Sequence, residues 1–397
     1  MTDDQSQQPD RLAHMLGRPT EPRLANSEEW QQLMSQARRA GLHGRLALAV
    51  LGHVSSISTL TPLFVDAPEA VLPSEIPAGM QPHLESAALV CRRLADGMLL
   101  EVDRLTEALQ RGGHRVVLLK GAAYLCDGLP PSRGRVFGDI DILVPRDSLP
   151  EVERALMSGG WISTEPDAYN QRYYRQWMHE IPPLTHVRRG TTVDVHHTIV
   201  PPTSAFRVAG DQLLRAARQV GKNGQLWVLQ PTDMVLHSAV HLFTEGEFDR
   251  GLRDLLDLRD LLVHFGMIEP SFWPKLFARA DELALGRPLH HALTHVARLF
   301  GSCVPGEFLP AIRVNAPPWP QRIAMCWLLT LALRPPHPCC DSRFSTLARR
   351  LLYLRAHWLR MPLYLLVPHL AHKAWKGVVQ ARSRSQAIDA QGLEVRR

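Results

Sequence analysis

The sequence has few of the features that mark secreted, membrane-spanning or zinc-finger proteins. Its six cysteines form no C-x-x-C pair, and the adjacent Cys339 and Cys340 are badly placed to bridge each other or to chelate one metal ion. The N-terminal segment is acidic and polar, which is unlike a signal peptide. The apolar stretch 361–368 is about half as long as a membrane span and contains prolines. These absences predict a cytoplasmic protein with reduced thiols and no transmembrane helix.

Two catalytic signatures are also missing: the chain has neither a G-x-S-x-G elbow nor a Walker loop.

What the sequence does have is a basic C-terminus. The formal net charge is +6, and residues 343–397 contain eleven Arg and Lys against two acids. The rest of the chain is therefore slightly acidic. A basic tail of this kind can meet an anionic partner such as nucleic acid, a membrane surface or an acidic protein, although a solvated helical face explains it equally well.

Composition and periodicity divide the chain into five segments. Apolar residues make up 45% of it, enough for a sizeable core. The predicted segments are a disordered tail (1–27), a helical region (28–112), a core of strands and helices (113–230), a helical domain (231–340) and a basic helical tail (341–397). Predicted strands include 116–119, 139–144 and 191–196, with an amphipathic helix at 148–158. The predicted fold class is α/β (α+β), with a small mixed sheet between helical regions.

Two carboxylates share one face of the second of these strands. Asp139 and Asp141 are two residues apart and project to the same side, while Ile140 and Ile142 point into the core. Carboxylates placed in this way can hold a pair of Mg²⁺ ions, which clamp the attacking and leaving oxygens in phosphoryl displacement. Asp194, between two valines of another strand, is the candidate for a third acid. A bare D-x-D is more often a solvated strand edge, so the surrounding residues matter.

Residues near these acids suit a triphosphate. Lys120, Gly121 and Ala122 follow the first strand and open a helix, where backbone amides and the lysine can hold phosphate. Arg135 can also pair with phosphate. His196 should share the face of Asp194, and it is a further candidate for binding the cofactor.

Other polar groups have less specific explanations. His237 and His241 are assigned to packing or to support of the acids. Asp254 and Asp257 are assigned to salt bridges with Arg250 or Arg253. His290, His291 and His295 are expected on a helix surface. The Tyr- and Arg-rich stretch 169–177 can stack on a base or sugar, and a loop or edge with ordinary aromatic packing explains it equally well.

Three motifs in this order resemble the uncharacterised nucleotidyltransferase family of bacteria, within the polymerase β-like superfamily. They are Leu118-Leu-Lys-Gly-Ala122, Arg135-Val-Phe-Gly-Asp-Ile-Asp-Ile-Leu-Val144 and Val193-Asp-Val-His196. The downstream segments Leu236-His-Ser-Ala-Val-His241 and Leu252-Arg-Asp-Leu-Leu-Asp257 resemble the family's helices. The resemblance covers roughly residues 30 to 300. Each motif alone is weak, but the ordered set is specific.

The resemblance implies transfer of NMP from an NTP to an acceptor hydroxyl, with Asp139 and Asp141 holding Mg²⁺. Asp194 would complete the metal site or activate the acceptor. Ala122 departs from the superfamily's usual Gly-Ser or Gly-Gly loop. One alternative is an inert relative that keeps the fold as a binding or regulatory module, and another is a nucleic-acid-binding protein that uses the basic tail. The acceptor stays open between a small molecule, a peptide, a protein hydroxyl and an RNA end.

Overall fold

The computed structural model describes residues 11–17, 26–51, 76–221, 226–301, 303–368 and 375. Its strands are β1 (Val117–Leu118), β2 (Asp139–Leu143), β3 (Trp161–Ser163), β4 (Leu184–His186), β5 (Thr192–His196), β6 (Arg218–Val220) and β7 (Leu226–Val228). Its helices are α1 (Arg11–Gly17), α2 (Ser27–Arg39), α3 (His43–Leu51), α4 (Gln81–Gln110), α5 (Lys120–Cys126), α6 (Leu149–Ser158), α7 (Ala168–Trp177), α8 (Gly210–Ala216), α9 (Pro231–Thr244), α10 (Gly251–Ile268), α11 (Phe272–Glu282), α12 (Gly286–Phe300), α13 (Leu309–Val314), α14 (Trp319–Ala332) and α15 (Ser345–Arg360). None of these described helices is long and apolar enough to cross a membrane.

The strands form one mixed sheet in the order β3-β4-β5-β2-β1-β7-β6. At its centre, β2 runs parallel to β5 and antiparallel to β1, while β1 runs parallel to β7. The predicted mixed α/β fold is therefore confirmed. Strands β6 and β7 lie in the predicted core segment 113–230 but were not themselves predicted. They are only three residues long, too short to show an alternating pattern.

The alternation of acidic and apolar residues in β2 decides which face of the sheet each side chain leaves. Ile140 and Ile142 are buried on one face. Burying both isoleucine side chains contributes about 1.5–3 kcal/mol each. The acids of the strand then face the other side of the sheet, which is the side of Lys120 and of helix α9. The hydrophobic periodicity of β2 thus places the site as well as the strand.

Three segments differ from the sequence prediction. The helix expected from Glu28 to about Val54 is two helices, α2 and α3, which are separated at Gly41 with a left-handed φ of 69°. The stretch 169–177 lies in helix α7 and not in a loop or strand. This helix has no fully buried residue, and the side chain of Asp167 caps its N-terminus. Within the tail expected to be disordered, residues 11–17 form α1, whose Leu12 is buried. Residues 26 and 27 of that tail are the N-cap and the first residue of α2. The remaining parts of the tail, 1–10 and 18–25, lie outside the described residues.

A backbone contact at Gly134 joins α3 to the segment before β2. Gly134 has a φ of 62°, and a Cβ there would lie 2.6 Å from the backbone nitrogen of Arg45. Gly134→Ala is therefore expected to cost about 2–3 kcal/mol of unfolding free energy, since strain and overpacking add. Urea unfolding measures the change. Gly97→Ala is the matched control: its site on α4 is open, so it should stabilise the helix by about 0.5–1 kcal/mol. Equal effects at both glycines would contradict the prediction.

Candidate active site

Two of the three predicted acids face each other across the central strand pair. Asp141 on β2 is the register partner of Asp194 on β5, so both side chains leave the same face of the sheet. Asp139 begins β2 opposite Thr192 and is exposed, whereas Asp141 is only 3% exposed. Asp139 thus lies at the rim of the strand pair and Asp141 in its interior, and the three acids lie on the one face that strand periodicity predicted.

Asp141 is held between a lysine and a histidine. Lys120 Nζ donates to Asp141 Oδ1 at 2.9 Å, and His196 Nε2 lies 3.0 Å from the same oxygen. Burial by itself would raise the pKa of Asp141, but the charge of Lys120 and the hydrogen bond from His196 lower it well below its usual range. Asp141 is therefore a carboxylate. Lys120 reaches it from a left-handed backbone conformation (φ 44°), which costs energy in a residue with a Cβ.

Asp194 has the opposite environment. Its Oδ1 is buried and has no hydrogen-bond partner among the described residues. Burial, reinforced by the negative charges of Asp141 and Glu180, raises the pKa of Asp194 to about 7. A buried acceptor without a donor is costly unless a cation or a proton satisfies it. The sequence drew attention to Asp194 because an acid there lies between two valines of a strand. The buried oxygen and the neighbouring negative charges give that acid an environment in which a bound cation or proton is needed.

Sequence reasoning missed His179 and Glu180. The segment that contains them pairs with the end of β5, and Glu180 is opposite His196 across an antiparallel bridge. Glu180 Oε2 lies 3.4 Å from His196 Nε2 and 3.8 Å from His179 Nε2. Burial raises the pKa of Glu180 and lowers that of His179 well below its usual range. No spacing in the sequence links these two residues to His196, because only strand pairing brings them together.

Among the described residues, one set of metal-ligating atoms lies close together, and it is not the predicted set of three acids. One atom from each of His179, Glu180 and His196 lies within 4.8 Å of the others, a nitrogen-rich set of the kind that suits transition metals. The set of Asp139, Asp141 and Asp194 contains only oxygen atoms, which are the ligands that Mg²⁺ prefers. The unsatisfied Oδ1 of Asp194 belongs to this second set. The predicted carboxylates thus fit Mg²⁺ by their chemistry.

The end of α9 completes the site on the side of Lys120. His241 Nδ1 lies 2.5 Å from Glu245 Oε2, and Arg360 donates to the Glu245 carbonyl at 2.8 Å. Burial would raise the pKa of Glu245, but His241, Lys120 and Arg360 lower it well below its usual range. The ammonium of Lys120 is thereby stabilised by Asp141, Glu245 and Glu180, which raise its pKa against the opposing effect of burial.

The other predicted phosphate ligands have different surroundings. Ala122 is buried in α5, and Gly121 leaves room for Arg135, whose Nε would be 3.0 Å from a Cβ at that position. The guanidinium of Arg135 is buried and pairs with Asp257. The structure thus brings Lys120 and His196 to the acids and directs Arg135 to a structural ion pair. Asp257 pairs with Arg45 and Arg135, not with Arg250 or Arg253, while Asp254 pairs with Arg253 as predicted.

Comparison with known families gives one match. The sequence model of a family described as uncharacterised nucleotidyltransferase matches residues 26–301, which is more than half of the chain. The match includes the whole sheet, α9 and α10, and it ends just after α12. Comparisons with curated proteins and with solved structures give no match.

Proposed function

This chain belongs to the uncharacterised nucleotidyltransferase family, and we propose that it transfers NMP from an NTP to an acceptor hydroxyl with the help of Mg²⁺. The observation that carries the proposal is the register pairing of Asp141 with Asp194. One carboxylate oxygen of Asp194 is buried and has no hydrogen-bond partner in the part of the chain that the structure describes. Two carboxylates on neighbouring parallel strands, with a third at the rim, form an oxygen-only site of the kind that divalent cations fill in phosphoryl transfer.

Asp139, Asp141 and Asp194 would hold the two Mg²⁺ ions. When bound, Mg²⁺ neutralises charge on the triphosphate and on the attacking and leaving oxygens. Lys120 holds Asp141 as a carboxylate, and its ammonium would pair with the phosphates of an NTP bound at these acids. The amides of Gly121 and Ala122 begin α5 beside it. His196 orients the same carboxylate from the opposite side. Arg135 on phosphate stays a prediction, since it would have to leave Asp257.

In the proposed reaction the acceptor oxygen forms a bond to the α-phosphorus. The bond from that phosphorus to the oxygen bridging to the β-phosphate breaks, and pyrophosphate leaves. Asp194, with a pKa of about 7, can exchange a proton near neutral pH, so it either completes the metal site or takes the proton of the acceptor hydroxyl. The acceptor's class, a small molecule, peptide, protein or RNA end, is left open by these residues.

Two further parts of the interpretation are proposals as well. We place the catalytic core at 113–230, with helical regions at 28–112 and 231–340 and the basic tail at 341–397. The free cysteines, of which Cys91 and Cys340 are buried, fit a reducing compartment, and we propose a cytoplasmic location.

Calorimetric titration of each of the four NTPs, with and without Mg²⁺, tests the proposal. We expect one or more NTPs to bind only with Mg²⁺, and binding to weaken by at least about tenfold in Asp139→Asn, because a metal ligand is lost. Asp139 is exposed and makes no ion pair in the described structure, so this variant should keep its fold. Asp211→Asn, an exposed acid at the start of α8, is the matched control. Failure of every NTP to bind a folded protein would favour the inert module.

A further inference from the structure

Helices α14 and α15 expose an apolar surface that the proposed reaction does not use. On α14 the exposed residues recur every four positions, and on α15 they follow a helical spacing of three and four. Trp319 and Trp358 are 66% and 68% exposed. We name this surface the α14–α15 patch; its residues are Trp319, Ile323, Trp327, Leu351, Leu354 and Trp358.

Helices α14 and α15 pack against each other. Trp327 of α14 packs against Phe344, just before α15, with ring centroids 5.8 Å apart. Beyond α15, Leu363, Tyr364 and Val367 are exposed too. Monomeric soluble proteins rarely expose contiguous apolar patches larger than a few hundred Å², and larger ones mark interaction sites. The patch is therefore a candidate docking surface.

The charge around the patch identifies the partner. Between Leu309 and Val367 the sequence contains eight arginines, no lysine and a single acid, Asp341. That acid pairs with Arg349 at 2.8 Å. Arg322, Arg343 and Arg350 are exposed on or next to the same helices. Trp and Leu in the middle with Arg around them is the composition of helices that lie in the interface of a bilayer with anionic lipids.

A pocket at the edge of the patch has matching chemistry. It encloses about 260 Å³ and is lined by Trp358, Phe206 and Met325 together with two arginines, Arg287 and Arg355. Arg355 donates to the Phe243 carbonyl at 2.9 Å. Neither guanidinium has a carboxylate within salt-bridge distance in the part of the chain that the structure describes. Two guanidinium groups that form no ion pair with a carboxylate, placed beside an apolar surface, suit a phosphate that carries an apolar chain.

From these observations we infer that the α14–α15 patch and the exposed arginines of the same helices dock on a bilayer containing anionic phospholipid, with a headgroup phosphate reaching Arg287 and Arg355. A second copy of the chain fits less well, because a symmetric contact would place one basic rim against another. Nucleic acid would use the arginines but leave the leucines without a role. Docking needs no nucleotide, so its outcome is independent of the proposed transfer reaction.

Flotation of the full-length protein with vesicles tests this inference. We expect binding to phosphatidylcholine vesicles that contain phosphatidylglycerol, and little binding to phosphatidylcholine alone. Trp319→Ser/Trp358→Ser should weaken binding by about tenfold or more, since both indoles leave the interface. Arg343→Glu/Arg350→Glu should do the same by reversing charge. Arg287→Gln should lower only the preference for anionic lipid.

Matched controls separate the patch from general surface properties. Met267→Ser/Ile268→Ser removes two equally exposed apolar side chains at the end of α10, and Arg92→Glu/Arg93→Glu reverses two exposed charges on α4. Neither should change vesicle binding. Thermal melts show that each variant folds.

Three outcomes would overturn the inference. One is a folded protein that floats with neither kind of vesicle. Another is a dimer, seen by sedimentation velocity, that the tryptophan variant dissociates while vesicle binding is absent, which would assign the patch to a second copy. The third is salt-dependent binding of single-stranded RNA that only the arginine variant loses, without vesicle binding, which would assign the surface to nucleic acid.

Discussion

Asp194→Asn is expected to reduce nucleotidyl transfer by roughly 10²–10⁴-fold. The substitution is isosteric, so it removes the charge that holds a cation or takes a proton while leaving β5 in place. Because Asp194 Oδ1 is buried without a donor, the neutral amide should not destabilise the fold, and the melting temperature should stay the same or rise. Transfer of label from an α-phosphate-labelled NTP to components of a cell extract measures the activity.

The combination of lost activity and kept stability is what distinguishes a functional Asp194 from a structural one. Asp211→Asn is the control for a change of one charge, and it should leave both quantities unchanged. If Asp194→Asn transferred label at the wild-type rate, the assignment of this carboxylate to the reaction would be wrong. If it unfolded the protein, its role would be in the sheet.

Asp257→Asn is expected to lower the free energy of unfolding by about 3–5 kcal/mol. Asp257 accepts from Arg45 Nη2 at 3.1 Å and from Arg135, and all three side chains are buried. Removing the carboxylate leaves two guanidinium groups in the interior without their shared counter-charge. This network links three elements: α3, α10 and the segment before β2. Its loss therefore weakens the contact between the helices and the sheet. Urea unfolding followed by circular dichroism measures the change.

Asp260→Asn is the matched control for this prediction. Asp260 pairs with Arg45 at 2.8 Å and with Arg259 at 3.0 Å, but it is more exposed than Asp257, and water can replace part of what is lost. Its substitution should therefore cost clearly less. Equal losses for the two variants would show that burial of the network is not what makes Asp257 important.

The sequence by itself determined the centre of this protein. The alternation of Asp139-Ile-Asp-Ile predicts a strand with two acids on one face, and Thr191 to His196 predicts its neighbour with a third. Both strands are present, and the family resemblance carried by these motifs is confirmed. Such patterns can be recognised from sequence because strand periodicity is local: burial of one face decides the direction of every side chain in the strand.

Only the tertiary structure decided which other side chains join these acids. His179 and Glu180 reach His196 because an irregular segment pairs with the end of β5, and no local pattern encodes that pairing. Arg135, expected on phosphate, is drawn to Asp257, which is over a hundred residues away in the chain. His290, His291 and His295, expected on a helix surface, are buried under neighbouring helices. Periodicity specifies the direction of a side chain within its own element, whereas burial and ion pairing depend on the elements that pack against it.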